Sequence, residues 1–337
     1  MIMDPDIPIP PVGYGGIERI VYLLACEYHK AGHQVTVFAG PGSKVPCSLV
    51  MFGTSGSVKS KIIRTAEIFQ AWGYYLLHHH EYDVMQSFGR LSYFLPIFMA
   101  PVKKVMCYQR HITAKNIRIA DLLPHRNLAF AALSDSCKST GNVRGRWKTI
   151  YNGVPIEKFT FQSSVTKDAP LIFLGRLDQI KGAHTAIRVA KATGDRLILA
   201  GNKPHLSHEI EYYQREVEPL IDQKQIIYVG EVNDEQKNHY LGQAKALLFP
   251  IEWDEPFGIV MAESLACGTP VIAFRRGSVP EVIDHGKTGY ICDHEDEMVF
   301  AVRQINAIRR KDCREVSERR FSGNVIARNY LEYFAQI

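Results

Sequence analysis

The sequence predicts an α/β protein of two doubly wound, Rossmann-like domains. Three observations carry this. Short β-rich runs alternate with helical stretches almost throughout, as in parallel sheets covered by helices on both faces. The length, 337 residues, suits two domains at roughly 100–200 residues each. The alternation weakens once, across 152–170 (NGVPIEKFTFQSSVTKDAP), which reads as a link between the two. Hydrophobic residues at 46% and charged residues at 22% fit a globular core and exclude disorder, collagen and simple coiled coil.

Taken in order, only Met1–Met3 precede Asp4-Pro5, so the first strand is very short or truncated. A helix follows over Ile17–Ala31, a strand over Gln34–Phe38 and a helix over Val58–His80. Strands at Asp83–Gln86, Lys104–Tyr108 and Phe130–Ser134 complete the first half. In the second half, strands at Leu171–Leu174, Arg196–Ala200, Ile226–Val229, Ala246–Phe249 and Val271–Phe274 are expected. Helices at Ala183–Ala192, Ser207–Gln223, Glu235–Ala244 and Phe257–Cys267 separate them. Glu295–Ile337 reads as entirely helical. The expected domains are 1–152 and 153–320, with the terminal helix 321–337 returning to the first.

Forty Lys+Arg stand against 35 Asp+Glu, a net +5. This mild excess tolerates phosphates or an anionic membrane surface and is no nucleic-acid footprint. The seven cysteines contain no C-x-x-C pair. That pattern argues against a zinc ribbon, a redox pair and a disulfide scaffold, and for reduced, buried thiols. Met1–Val12 has no basic region leading into an apolar one. The longest apolar stretch, Leu91–Val102, is broken by Pro96 and Pro101. The expected location is therefore cytoplasmic, with loose peripheral contact at the inner membrane face permitted.

Several motifs carry candidate chemistry. Gly13-Tyr14-Gly15-Gly16 opens the first helix, where free N–H groups and the positive dipole end can meet an anion. It is not G-x-G-x-x-G, and a plain tight turn is the rival reading. Gly175-Arg176, with Lys181-Gly182, lies between a strand and a helix, at the sheet edge where α/β proteins bind ligands. A guanidinium fork and a point charge there suit a diphosphate, or are two solvated cations. Glu255-Pro256-Phe257-Gly258 precedes an apolar helix carrying Glu263. Pro256 can open that helix. A carboxylate on a buried helix requires partners, which a vicinal diol or a structural contact supplies. His111 follows a strand and is either near a reacting centre or structural. His78–His80 reads as a solvated helix end.

Together these residues resemble the retaining glycosyltransferases of family 4, which have the GT-B fold of two Rossmann-like domains facing across a cleft. Glu255-Pro256-Phe257-Gly258 with Glu263 fits the family's E-x7-E pattern, and Gly268-Thr269-Pro270-Val271 follows it. Gly175-Arg176 with Lys181-Gly182 fits its phosphate-binding pattern. Asn152-Gly153-Val154 with Phe159 is similar to its interdomain segment, Gly15-Gly16 to its N-terminal loop, and Gly277–Glu281 to the stretch after the E-x7-E helix. The resemblance implies that Arg176 and Lys181 bind the donor diphosphate. It implies that Glu263 holds the ribose hydroxyls. Glu255 and the N–H groups of Phe257, Gly258, Ile259 and Val260 would hold the donor sugar. Gly15 and Gly16 would lie on the phosphate and His111 near the sugar. Gly201, Val229, Gly230, Glu231 and Val232 would line the base.

The activity implied is transfer of a hexose from a UDP- or GDP-sugar to a saccharide, lipid-linked or small-molecule acceptor, as in polysaccharide synthesis. No D-x-D motif occurs, no metal or other cofactor is expected, and no covalent nucleophile is assigned. Rival readings are a nucleotide-sugar epimerase of the same fold and a noncatalytic sugar-nucleotide-binding subunit. A phosphorylase would need a pyridoxal lysine that the sequence does not mark. A dehydrogenase is disfavoured by the missing G-x-G-x-x-G.

Overall fold

The computed structural model describes every residue except Tyr14, Ser57 and 142–144; of Asp121 it describes the backbone alone. The chain divides into two compact units, Met1–Gly153 with Gly323–Ile337, and Val154–Ser322.

In the first unit the described strands are β1 (Thr36–Ala39), β2 (Ser48–Met51), β3 (Val84–Ser87), β4 (Lys103–Tyr108), β5 (Leu128–Ala132) and β6 (Trp147–Thr149). All pair in parallel, as β1-β2 and β3-β4-β5-β6. Ile2 joins the two groups by parallel bridges to Phe38 and Ser87. The short first strand is thus a bridge in mid-sheet. Its N–H donates to Gln86 O at 2.7 Å and its carbonyl accepts from Phe88 N at 2.8 Å.

In the second unit the strands are β7 (Leu171–Leu174), β8 (Leu197–Ala200), β9 (Ile226–Gly230), β10 (Ala246–Phe249), β11 (Val271–Phe274) and β12 (Gly289–Cys292). Their order is β12-β11-β10-β7-β8-β9, all parallel. Leu171, Ile172, Leu247, Leu248, Val271 and Ile272 are fully buried. Strands covered on both faces read as continuous apolar runs, and β7, β10 and β11 match expectation to the residue.

The sequence reading missed β2, β6 and β12. These are three- and four-residue edge strands, too short for a period to emerge. Three helices also differ. Val58–His80 begins at Lys61 because the Ser60 hydroxyl caps Ile63 N. Ser207–Gln223 is helical to Tyr212, widens to a π-turn over Tyr213–Val217 and closes as a 3-10 turn over Glu218–Leu220. Pro219 lacks the N–H an α-helix would need there. Glu295–Ile337 breaks at Arg309 and Ser322, both extended. Its last helix, Gly323–Gln336, packs on the Gly16–Lys30 helix.

Five of the seven cysteines are buried and all are free. Burial pushes Cys107, Cys267, Cys292 and Cys313 up to about 12, so these thiols stay protonated. Among the described residues no helix is long and apolar enough to cross a membrane.

Arg310 staples the second unit. Its buried guanidinium donates to the carbonyls of Gln162, Ala244 and Gly242 and to Thr269 Oγ1. Arg310→Met strands these acceptors. It should cost about 3 kcal/mol of stability, read as a lower urea midpoint with an unchanged slope.

Candidate functional site

Strand order in the second unit reverses between β7 and β10, the place where an open α/β sheet leaves a crevice beyond its strand ends. The loop after β7 supplies Arg176 and Lys181. The loop after β10 supplies Trp253 and Glu255. Glu252 N donates to Ile180 O at 2.9 Å, tying the loops together. Lys181 Nζ donates to Glu255 Oε2 at 2.5 Å, and Trp253 Nε1 donates to the same oxygen at 2.7 Å. The Lys181 ammonium also lies 5.1 Å from the centre of the Trp253 indole. Two sequence-predicted residues therefore meet as an ion pair.

Arg176 is half exposed, and its guanidinium pairs with Asp178 Oδ2 at 2.8 Å. Asp178 is buried, and burial raises its carboxyl above the ordinary value against the pull of Arg176. His184 bridges Tyr212 Oη at 2.6 Å and Glu252 at 3.1 Å, fixing the helix behind the β7 loop.

The neighbouring strand ends carry Gly201, Val229 and Gly230. Gly201 has φ +140, and a Cβ there would fall 1.8 Å from Gly175 O, so only glycine lets β7 and β8 end this close. Gly201 N donates to Gly230 O at 2.8 Å. Tyr228 Oη donates to Gly201 O at 3.0 Å, and Lys203 Nζ stands 5.6 Å from the Tyr228 ring. Glu231 follows exposed and Val232 half-buried. Gly175, Gly201 and Gly230 thus line one sheet edge.

The helix bearing Glu263 corrects the sequence reading. It runs Ile259–Ala266, and Gly258, at φ +66, is its N-cap. Pro256 therefore does not open the helix, and Phe257 and Gly258 precede it. Phe257 is buried with its ring 5.7 Å from Phe321, which turns the chain before the helix can start. Ile259 and Val260 form the first turn.

Glu263 is buried, and Lys237 Nζ donates to its Oε1 at 2.5 Å. Lys237 also lies 5.6 Å from the Phe159 ring. The sequence reading missed Lys237, which sits 26 residues from Glu263 in a helix with no motif. The loop after β11 closes on the same segment, with Ser278 N donating to Glu255 O at 3.0 Å.

In the first unit, Gly15 caps and Gly16 opens the Gly16–Lys30 helix. Tyr14 lies outside the described residues. His111 is exposed, just past β4, where Ile112 N donates to Thr140 Oγ1 at 2.9 Å. Here too strand order reverses, beside Ile2. Asp4 follows Ile2 and accepts from Arg90 Nε at 3.1 Å and Tyr93 Oη at 2.7 Å. Glu18 is buried, and burial raises its carboxyl above the ordinary value; Arg110 opposes this, while Asp4 and Asp6 add to it. A carboxyl held against its preference marks a candidate binding edge. His78 Nδ1 pairs with Glu81 and His79 Nδ1 faces the Tyr75 carbonyl, as suits a helix end.

Residues 156–320 match the family described as glycosyl transferases group 1. An uncharacterized 41.2 kDa protein in the cps region of Klebsiella pneumoniae is 26% identical over 250 residues, covering 69% of this chain and 65% of that protein. The N-acetyl-alpha-D-glucosaminyl L-malate synthase of Bacillus anthracis is 25% identical over 187 residues, covering 51% of this chain and 47% of the synthase. The chain thus spans less than two thirds of either relative. A solved Anabaena structure, HepE in complex with UDP-glucose, superposes with a TM-score of 0.76 at 19% identity, covering 100% of this chain and 99% of that one. The likeness shows the fold to be that of the GT-B glycosyltransferases.

Two outcomes test this geometry. Lys237→Met should cost about 2 kcal/mol by leaving Glu263 a buried, unpaired anion, and adding Glu263→Gln should recover most of that loss in a double-mutant cycle. Glu18 is held above its unfolded value, so it costs stability once pH rises past the ordinary carboxyl range. Glu18→Gln should therefore raise the melting temperature at neutral pH, and the gain should shrink toward zero in acid.

Proposed function

We propose, from the match of residues 156–320 to the family described as glycosyl transferases group 1, that the chain is a retaining, metal-independent glycosyltransferase. It moves a hexose from a UDP-linked donor to a saccharide or lipid-linked acceptor. The observation that carries this reading is the Lys181–Glu255 pair beside Arg176 at the β7/β10 switch point. Glycosyl–phosphate cleavage builds negative charge on the diphosphate, and fixed cations at that point stabilise it. Arg176 and Lys181 take the diphosphate. Glu255, also bonded by Trp253, accepts from hydroxyls of the sugar. Glu263 accepts from the ribose with the oxygen that Lys237 does not hold.

Gly201 and Val229–Val232 border the base, and Gly16 and His111 keep the donor contacts that the resemblance gives them. The acceptor hydroxyl attacks the face the diphosphate leaves, and its proton passes to the departing phosphate. No protein nucleophile is assigned. The choice of UDP rests on the UDP-glucose in the HepE structure. A polysaccharide acceptor rests on the Klebsiella relative's cps region. Loose contact with the inner membrane face belongs to the same reading.

The test is a thermal-shift panel of UDP, GDP, ADP, NAD and pyridoxal phosphate. At 100 times its dissociation constant, UDP should add about 2.7 kcal/mol, about 5 °C or more at this size. Arg176→Ala with Lys181→Ala should abolish the shift, and Glu263→Ala should weaken it. Lys181→Ala should lower kcat by about 100-fold or more, and a chelator should leave turnover unchanged. A shift with NAD alone points to a dehydrogenase. No shift with any ligand points to a noncatalytic subunit.

A further inference from the structure

We propose that the outward face of the Lys61–His78 helix docks on an anionic lipid surface. The helix is apolar on both sides. Ala71 and Tyr75 are buried inward. Ile62, Phe69 and Leu76, spaced seven apart on the opposite face, are 82%, 60% and 54% exposed, and Leu77 beside them is 69% exposed. Ala66 and Gly73 lie between them, so no polar side chain interrupts the stripe. A surface helix with a single partner is normally polar on its outer face, and a contiguous exposed apolar stripe marks an interface.

The stripe is held rigidly. Trp72 Nε1 donates to Ser92 O at 2.8 Å, and the Phe69 ring stands edge-on to Trp72 at 5.2 Å. The segment that Trp72 grips, Leu91–Ile97 and the residues after it, adds exposed Leu95 and Met99.

Charge selects the occupant. Glu67, the one acidic residue in the helix, is turned inward to Lys59 Nζ at 2.8 Å and Thr54 N at 2.9 Å. Exposed Lys61 stands at one end of the stripe and His78–His80 at the other. Residues 84–134 hold seven Lys and Arg against one acidic residue. The first unit as a whole has 18 Lys+Arg against 10 Asp+Glu, whereas the second has 22 against 25. The net positive charge of the chain therefore resides in the unit that bears the stripe. Apolar insertion and Coulomb attraction to lipid phosphates act together on such a face. A second copy of the chain would bring the same excess of positive charge against itself. Residues 62–77 span about 22 Å at helical rise, long enough to lie along a bilayer surface. The inference deepens the membrane contact of the proposed function and rests on that reading, while vesicle binding tests it separately from glycosyl transfer.

The test is co-sedimentation of the whole protein with vesicles of phosphatidylcholine alone and of phosphatidylcholine with an equal part of phosphatidylglycerol. The expected result is partition onto the anionic vesicles only, falling as salt rises. Phe69→Ser with Leu76→Ser should weaken it about tenfold or more, and Lys61→Gln should weaken it and flatten the salt dependence. Unchanged melting temperatures and an unchanged UDP shift would establish that the variants remain folded. Absence of binding to anionic vesicles overturns the proposal, as does binding that the Phe69/Leu76 variant leaves unaltered. A dimer by light scattering that this variant returns to monomer, without vesicle binding, also overturns it and assigns the face to a second copy.

Discussion

The pairing of β7 with β10 is the constraint on which the donor-side geometry depends. The ladder between them holds only two residue pairs, Ala246 with Leu171 and Leu247 with Ile172. The β7–β8 ladder, by contrast, runs through four pairs to Leu174 and Ala200. Beyond the short ladder, the ends of β7 and β10 are free to part. Connections in a parallel sheet are right-handed. The chain leaving β7 therefore turns toward β8 and the chain leaving β10 toward β11, and neither loop covers the other. Lys181 and Glu255 meet there because the two loops are held together, by the hydrogen bond from Glu252 N to Ile180 O and by Gly182, which lets the backbone close on the Pro250 carbonyl.

What the sequence disclosed follows from burial. Strands β7, β10 and β11 are covered on both faces and carry no polar residue, so their limits are legible. Strands β2 and β12 sit at sheet edges, and a four-residue edge strand has neither a run nor a period. The Glu263 helix was placed two residues early because Pro256 is a sound helix starter locally. The burial of Phe257 against Phe321, 64 residues away, overrides it. The candidate site divides the same way. Arg176, Lys181, Glu255 and Glu263 stand out by spacing within their own loops. Their partners do not. Lys181 and Glu255 are 74 residues apart, and Lys237 is an ordinary lysine until the fold brings it to Glu263.

Charge is distributed with a similar logic in both units. Each switch point gathers carboxylates and cations where the sheet edge leaves them partly desolvated. In the second unit the charges are paired: Arg176 with Asp178, Lys181 with Glu255, Lys237 with Glu263. In the first, Glu18 shares its edge with Asp4 and Asp6, and burial outweighs the attraction of Arg110. The two edges are thus differently disposed. On the proposed reading, the second exchanges a carboxylate partner for a phosphate. In the first, Asp4 pairs with Arg90 and Asp6 with Lys59, and Glu18 is held above its ordinary value by burial.

The exchange at Lys181 would be costly if it left the half-buried Glu255 without a partner, since an unpaired, partly desolvated carboxylate loses solvation. Trp253 removes that difficulty. Its indole N–H donates to the very oxygen that Lys181 holds, so on the proposed reading Glu255 keeps a donor when the ammonium turns to phosphate. Glu255 then stays oriented, and on the proposed reading its other oxygen accepts from a sugar hydroxyl. The indole also faces the Lys181 ammonium at 5.1 Å, so the cation keeps a favourable neighbour in either position. One side chain thereby supports both members of the pair. A site that needs little reorganisation can direct its binding energy to the transition state.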